Sequence, residues 1–369
     1  MAAAWCGRCL LIHPVPRGIA VYRATARVDD LPQFRQLWQQ RRQAAEAVDE
    51  GVAVAVRIHL AISLWPEAEH GAAALPQGVP QLHGVGGVAQ LHPIGQVAEL
   101  LQPRRPQLKL TLTTTTSERL EQLSPLADRV ELCDATDPVQ LRNALRQSSS
   151  AVFCLGPKGD RQVDANGYRR TFVDSFHCLT SLLPQLPKLR QIVYTGSCSV
   201  YGDAAGDWVD EQTPPAPGRG HGDVLLESEQ LLSGISGRRV CILRLGALYG
   251  PGRDLNRRLR GLAGLERPGD GAAYSNWLHV ADAAGALEAA LDAEWAGLVN
   301  VVNDEPIRLR DLVGRSLQRQ GLAPVRWLGQ DEPGSGGRRI RNTRLKQLGY
   351  QLQHPRLDQS GVLASSQVP

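Results

Sequence analysis

The side chains that could do chemistry in this chain gather just past short apolar runs. Thr114 and Thr115 close the run LKLTLTT, and Ser117 and Arg119 follow them. Hydroxyls and a guanidinium in one turn can donate hydrogen bonds to a phosphate. Asp134 stands past RVELC, where a carboxylate can accept from an adenine amino group or cap a helix. Ser197 and Tyr201 lie in TGSCSVYGD, directly after QIVY. His221 opens HGDVLLESEQ, and an imidazole can act as acid or base near neutral pH. Lys158, in CLGPKG, is one of the few lysines, at 109, 158, 188 and 346. Gly95 opens GQVAELLQ, where a glycine lets the backbone approach an anion at a helix start.

Two motifs are decoys. Trp5 to Cys9 spells WCGRC, but redox chemistry needs the first cysteine at a helix N-terminus after a strand, and four residues cannot supply one. Gly84 to Ala89 spells GxGxxA, but no convincing strand precedes it.

Composition narrows the classes. The 369 residues are 42% hydrophobic, enough for one large α/β domain with a smaller lobe. The 41 basic residues nearly balance 37 acidic ones, for a net charge of +4, and no basic stretch is interleaved with aromatics. Nucleic acid is therefore not an expected partner. Seven scattered cysteines do not form a disulfide framework and fit a reducing, cytoplasmic setting. No apolar run approaches membrane-spanning length, and the N-terminus lacks a secretory pattern. No metal-binding pattern stands out, since a lone CxxC is poor zinc evidence.

The elements that must position these residues are regular from Gly95 onward. Strands are expected at Leu108–Thr114, Arg129–Cys133, Ala151–Leu155, Gln191–Thr195 and Val240–Leu245. Helices are expected from Gly95, from Pro138, through Tyr168, Phe172, Phe176 and Leu179, and over Val224–Leu232. Such alternation predicts an α/β doubly wound parallel sheet of the Rossmann type, with a smaller C-terminal substrate lobe after residue 245. Residues 89–245 form the expected nucleotide-binding domain and 246–369 the lobe with its tail. Residues 1–88 differ in texture and contain no lysine. They are read as an atypical N-terminal extension, either disordered or non-native. Val52–Leu64 has strand character but no glycine turn after it, so the first strand and glycine-rich turn are expected to be degraded or missing.

Five ordered segments carry a resemblance. QIVYTGSCSVYGD, RLGALYGPG, WLHVAD, VNVVNDEP and RNTRLKQLGY are similar to successive segments of the extended short-chain dehydrogenase/epimerase family, in its atypical, nucleoside-diphosphate-sugar epimerase-like branch. The resemblance implies a dinucleotide cofactor and a small-molecule substrate such as a nucleotide sugar, and is compatible with a homodimer. Ser197 then matches the catalytic serine, which hydrogen-bonds the substrate oxygen. Asp134 matches the adenine ligand, and Leu155 and Gly246 flank the cofactor. Gly95 matches the third glycine of GxxGxxG, while Ala89 and His92 occupy the first two places. The family's Tyr-Lys pair falls on His221 and Leu225. Tyr201 and Lys158 are the nearest substitutes. The tip after Thr114 holds hydroxyls and Arg119 where NAD-preferring sites place a carboxylate, so NADP is expected over NAD. The implied activity is that of an NAD(P)-dependent oxidoreductase or epimerase. The alternative is a non-catalytic dinucleotide-binding sensor or scaffold that has lost the Tyr-Lys pair.

Overall fold

A computed structural model describes the backbone of Val52–Ile58 and residues 108–156, 165–218, 221–329 and 336–357. All of them belong to one compact unit running from Val48 to Pro369. Among the described residues, seven strands build its sheet: β1 Val52–Ile58, β2 Leu108–Thr114, β3 Arg129–Leu132, β4 Ser150–Cys154, β5 Gln191–Ser197, β6 Arg239–Leu245 and β7 Gly297–Val301. The spatial order is β7-β6-β5-β4-β1-β2-β3, with every pairing parallel. The order reverses between β1 and β4, and ligands of doubly wound sheets bind beyond the carboxyl ends of the strands at such a point.

The first strand is therefore present, which corrects the expectation that it is degraded or missing. Val54 is in register with Leu110 on one side and Ser150 on the other. This strand lies upstream of residue 89. Its VAVAVRI is an apolar run without strict alternation, the usual text of a central parallel strand. The glycine turn, Gly84–Ala89 and Gly95 lie outside the described residues, as do Cys6, Cys9 and Lys158.

Side chains alternate cleanly across the sheet. Ala151, Phe153, Ile192, Tyr194 and Ile242 face one buried cluster; Val152, Val193, Cys241 and Leu243 face the other. The period of two is what a strand covered on both faces requires. The first face is covered by α1 Pro138–Leu145, α2 Ser175–Leu182 and α3 His221–Ser233, through Leu141, Leu145, Phe176, Leu179 and Leu232. Asp137 starts α1 by accepting from Val139 N at 2.9 Å and Gln140 N at 3.0 Å, with Pro138 at the first turn. The second face is covered by α4 Val280–Asp292, through Ala284, Leu287 and Ala290. A third cluster of Tyr249, Leu255, Leu259, Trp277, Leu312 and Leu317 gives the smaller lobe its own core.

The helical rod before β5 departs from its expected regularity. A turn of π-helix at Arg170–Asp174 joins Ala165–Arg169 to α2. Such bulges recur at functional sites, and this one follows Tyr168, whose ring enters the site below.

Candidate active site

The carboxyl edge of β2 and β3 holds the residues expected around adenosine. The Thr114 hydroxyl turns into its own loop, accepting from Thr116 N at 3.2 Å and lying 3.1 Å from Thr116 Oγ1. Thr115 is half-buried; Ser117 and Arg119 are exposed in a short 3-10 turn, with Glu118 between them. Asp134 is half-buried and accepts from Thr136 N at 3.0 Å and Thr136 Oγ1 at 2.8 Å, while its own N–H donates to Gln140 Oε1 at 2.8 Å. The β2 tip thus presents exposed hydroxyl and guanidinium groups, and the next strand presents a carboxylate held by Thr136. Leu155 is buried past β4 as an aliphatic wall. Gly246 follows β6, and a Cβ there would meet Asn276 O at 3.0 Å and Val302 Cγ1 at 3.1 Å, so the sheet and the strand Trp277–His279 approach closely at this residue.

Ser197 ends β5 and caps the short helix Cys198–Tyr201, its hydroxyl accepting from Ser199 N at 3.1 Å. A hydroxyl that accepts in this way retains its O–H for donation, which is what polarising a substrate oxygen demands. The next turn is fixed by Gly202, at φ 63°, where a Cβ would lie 1.9 Å from Ala216 O. Gly202→Ala is expected to destabilise the fold by several kcal/mol or displace the Ser197–Tyr201 turn; retained thermal stability and substrate binding would contradict this role.

Tyr201 is not placed as a free acid. It is buried, its hydroxyl donates to Asn300 Oδ1 at 2.8 Å, and Arg244 lies 4.7 Å above its ring. Burial pushes its pKa upward, with Arg244 opposing. This tyrosine serves a buried brace. Arg244 donates through Nε to both oxygens of Glu229 at 3.1 Å and through Nη2 at 2.6 Å. Asn300 passes the brace to the C-terminal segment through Arg341 O at 3.2 Å, and Glu211 takes its backbone N–H at 2.7 Å. Tyr201 stands out in the sequence, but its link to Glu229 through Arg244 and to Asn300 does not, because these partners lie apart in the chain.

On α3, His221 is the first helical residue and stacks on Tyr168, with centroids 3.7 Å apart and planes at 15°. Leu225, one turn on, is buried in the first core cluster with Leu232. Ser228 Oγ donates to Leu225 O at 2.7 Å. The helix thus carries His221 and the buried Leu225 one turn apart.

WLHVAD joins two of the buried clusters, with Trp277 in the third and Leu278 in the second. His279 Nδ1 accepts from Ala281 N at 3.2 Å and so starts α4. Asp282 accepts from Gln353 N at 2.6 Å, His354 N at 2.9 Å and Tyr350 OH at 3.2 Å. Burial, with the His354 ring 3.7 Å away and tilted by 44°, lowers the His279 pKa to about 4. An unfolded histidine titrates near about 6.5. His279 therefore contributes stability that is fully present above that value and is lost as pH falls towards about 4. His279→Asn keeps a capping acceptor but removes the titration. Its unfolding free energy should vary less between these two pH values; an unchanged slope would reject the assignment.

Among the described residues, no three metal-ligating side chains come together, and no helix is long and apolar enough to cross a membrane. Residues 97–302 match the family model of the NAD dependent epimerase/dehydratase family. The chain belongs to that family. It is 35% identical over 173 residues to Protein YeeZ of Escherichia coli strain K12, a match that takes in 46% of this chain and 60% of that protein. The chain thus spans less than two thirds of that relative's length. A dTDP-glucose 4,6-dehydratase from Bacillus anthracis, solved in complex with NAD, superposes with a TM-score of 0.61 at 13% identity, over 85% of this chain and 94% of that one. An ADP-L-glycero-D-manno-heptose-6-epimerase from Helicobacter pylori superposes at 0.59 and 15% identity, over 83% and 93%. At these identities the superpositions establish the shared fold.

Proposed function

We propose that the chain binds a nicotinamide dinucleotide along the carboxyl edge of its sheet, with NADP preferred over NAD. In this reading it acts as an oxidoreductase or epimerase on a carbonyl or hydroxyl substrate of the nucleotide-sugar class. The observation that carries the reading is Ser197: a serine at the carboxyl end of β5 with its O–H available to donate. The dinucleotide supplies hydride transfer when bound. Thr115, Ser117 and Arg119 hold the ribose and its phosphate, and Asp134 faces the base. Ser197 donates to the substrate oxygen, and His221 takes or returns the proton there. Leu155 and Leu225 keep water from the reacting centre.

Leu225 supports a second reading. A buried leucine cannot lower the pKa of a neighbouring acid, so a chain that binds dinucleotide without turnover is a coherent alternative. Fluorescence titration with NADPH and NADH, then absorbance at a panel of sugar nucleotides, separates the two. Binding without turnover favours the sensor, and the absence of binding removes both. Arg119→Ala should weaken NADPH by about 10-fold or more and leave NADH nearly unchanged, as expected for loss of a charge-assisted contact. Equal losses for the two cofactors would reject the phosphate role of Arg119.

A further inference from the structure

Arg244 and Arg253 are both buried, at 1% and 8% exposure, and they differ in one respect. Arg244 has Glu229, whereas among the described residues Arg253 has no carboxylate partner. Its Nε and Nη2 are buried with no acceptor among those residues. Burial lowers its pKa to about 10, with no opposing charge to restore it. The backbone around it is held in place: Arg253 N donates to Gly250 O at 2.8 Å and Gly250 N to Arg253 O at 3.3 Å. Gly250 has φ +123°, and a Cβ there would come within 2.6 Å of His279 Nε2. The neighbouring acid, Asp254, is occupied as the cap of Leu255–Arg260, accepting from Arg257 N at 3.1 Å. That helix adds Arg257, Arg258 and Arg260 and no acid.

A buried cation with idle donors is costly unless something completes it. A guanidinium fork is completed best by a planar or tetrahedral oxyanion, which can accept two of its hydrogen bonds at once. Arg253 lies in the segment that leaves the carboxyl end of β6, the edge where ligands of such sheets bind. We propose that Arg253 is the receptor for an oxyanion of the ligand, a phosphoryl group or a carboxylate. That this anion belongs to the substrate rests on the function proposed above; that an anion binds does not.

The test is calorimetric titration of the full chain, without dinucleotide, with inorganic pyrophosphate, inorganic phosphate and acetate, at constant ionic strength in chloride. One-site binding is expected, and the tighter anion class identifies the source as phosphoryl or carboxylate. Arg253→Met should abolish it, and Arg253→Lys, which keeps the charge but loses the fork, should weaken it by about 10-fold. The proposal is overturned if the wild type takes up none of the three anions, or if Arg253→Met binds as the wild type does. Should the methionine variant fail to fold, an unchanged affinity in Arg253→Lys overturns it equally. NADPH fluorescence is read separately. Its absence would defeat the proposed function and leave the anion result standing, whereas absent anion binding with intact NADPH binding defeats this inference alone.

Discussion

Glu229→Ala is expected to cost about 3–5 kcal/mol of stability, because it leaves the Arg244 guanidinium buried without its carboxylate. Arg244 Nη1 already lacks a partner, so no spare acceptor stands ready to take over. The effect should reach the site, since Arg244 also supports the Tyr201 ring at the end of the Ser197 turn. Removing both charges, as in Glu229→Leu with Arg244→Met, should recover most of the loss, as buried pairs replaced by apolar residues often do. Denaturant unfolding of the two single variants and the double variant measures the coupling. Additive losses would show that the pair contributes nothing beyond its separate side chains.

Ser197→Ala and His221→Gln are each expected to lower kcat/KM by about 10²–10⁴-fold, the range for loss of a positioned proton donor or acceptor. NADPH affinity should change far less, because both residues lie away from the β2 and β3 tips that hold adenosine in this reading. The two variants should differ in what they lose: Ser197→Ala weakens the hold on the substrate oxygen, whereas His221→Gln leaves that hold and removes the proton acceptor. Full activity in His221→Gln would assign the proton to another group and reduce the Tyr168–His221 stack to packing.

Much of the sheet is legible in the residues because burial on both faces imposes short apolar runs. β2 matches its expected span, and β3 to β6 differ by two residues or fewer at their ends. α3 begins earlier than Val224 because His221, Gly222 and Asp223 carry no apolar periodicity to mark the start. β1 escaped because its expected companion, a glycine turn, does not follow it in the text. The site divides in the same way. Ser197 and Asp134 are readable from position, since each follows a strand end. The brace through Glu229, Arg244, Tyr201 and Asn300 is not, since only folding brings together partners up to 99 residues apart. The unpaired state of Arg253 is equally invisible in YGPGRD, because what matters there is what fails to come near it.

The grip of Asp282 on Gln353 and His354 spans 71 and 72 residues. During synthesis, the helix beginning at Val280 emerges long before its anchor exists. Contacts of such sequence separation form late and slowly. The segment carrying Gln353 and His354 therefore docks on this helix only after both residues have been made. A message that stops shortly before Gln353 would leave the Asp282 carboxylate buried without its two backbone donors, a target for quality-control proteases.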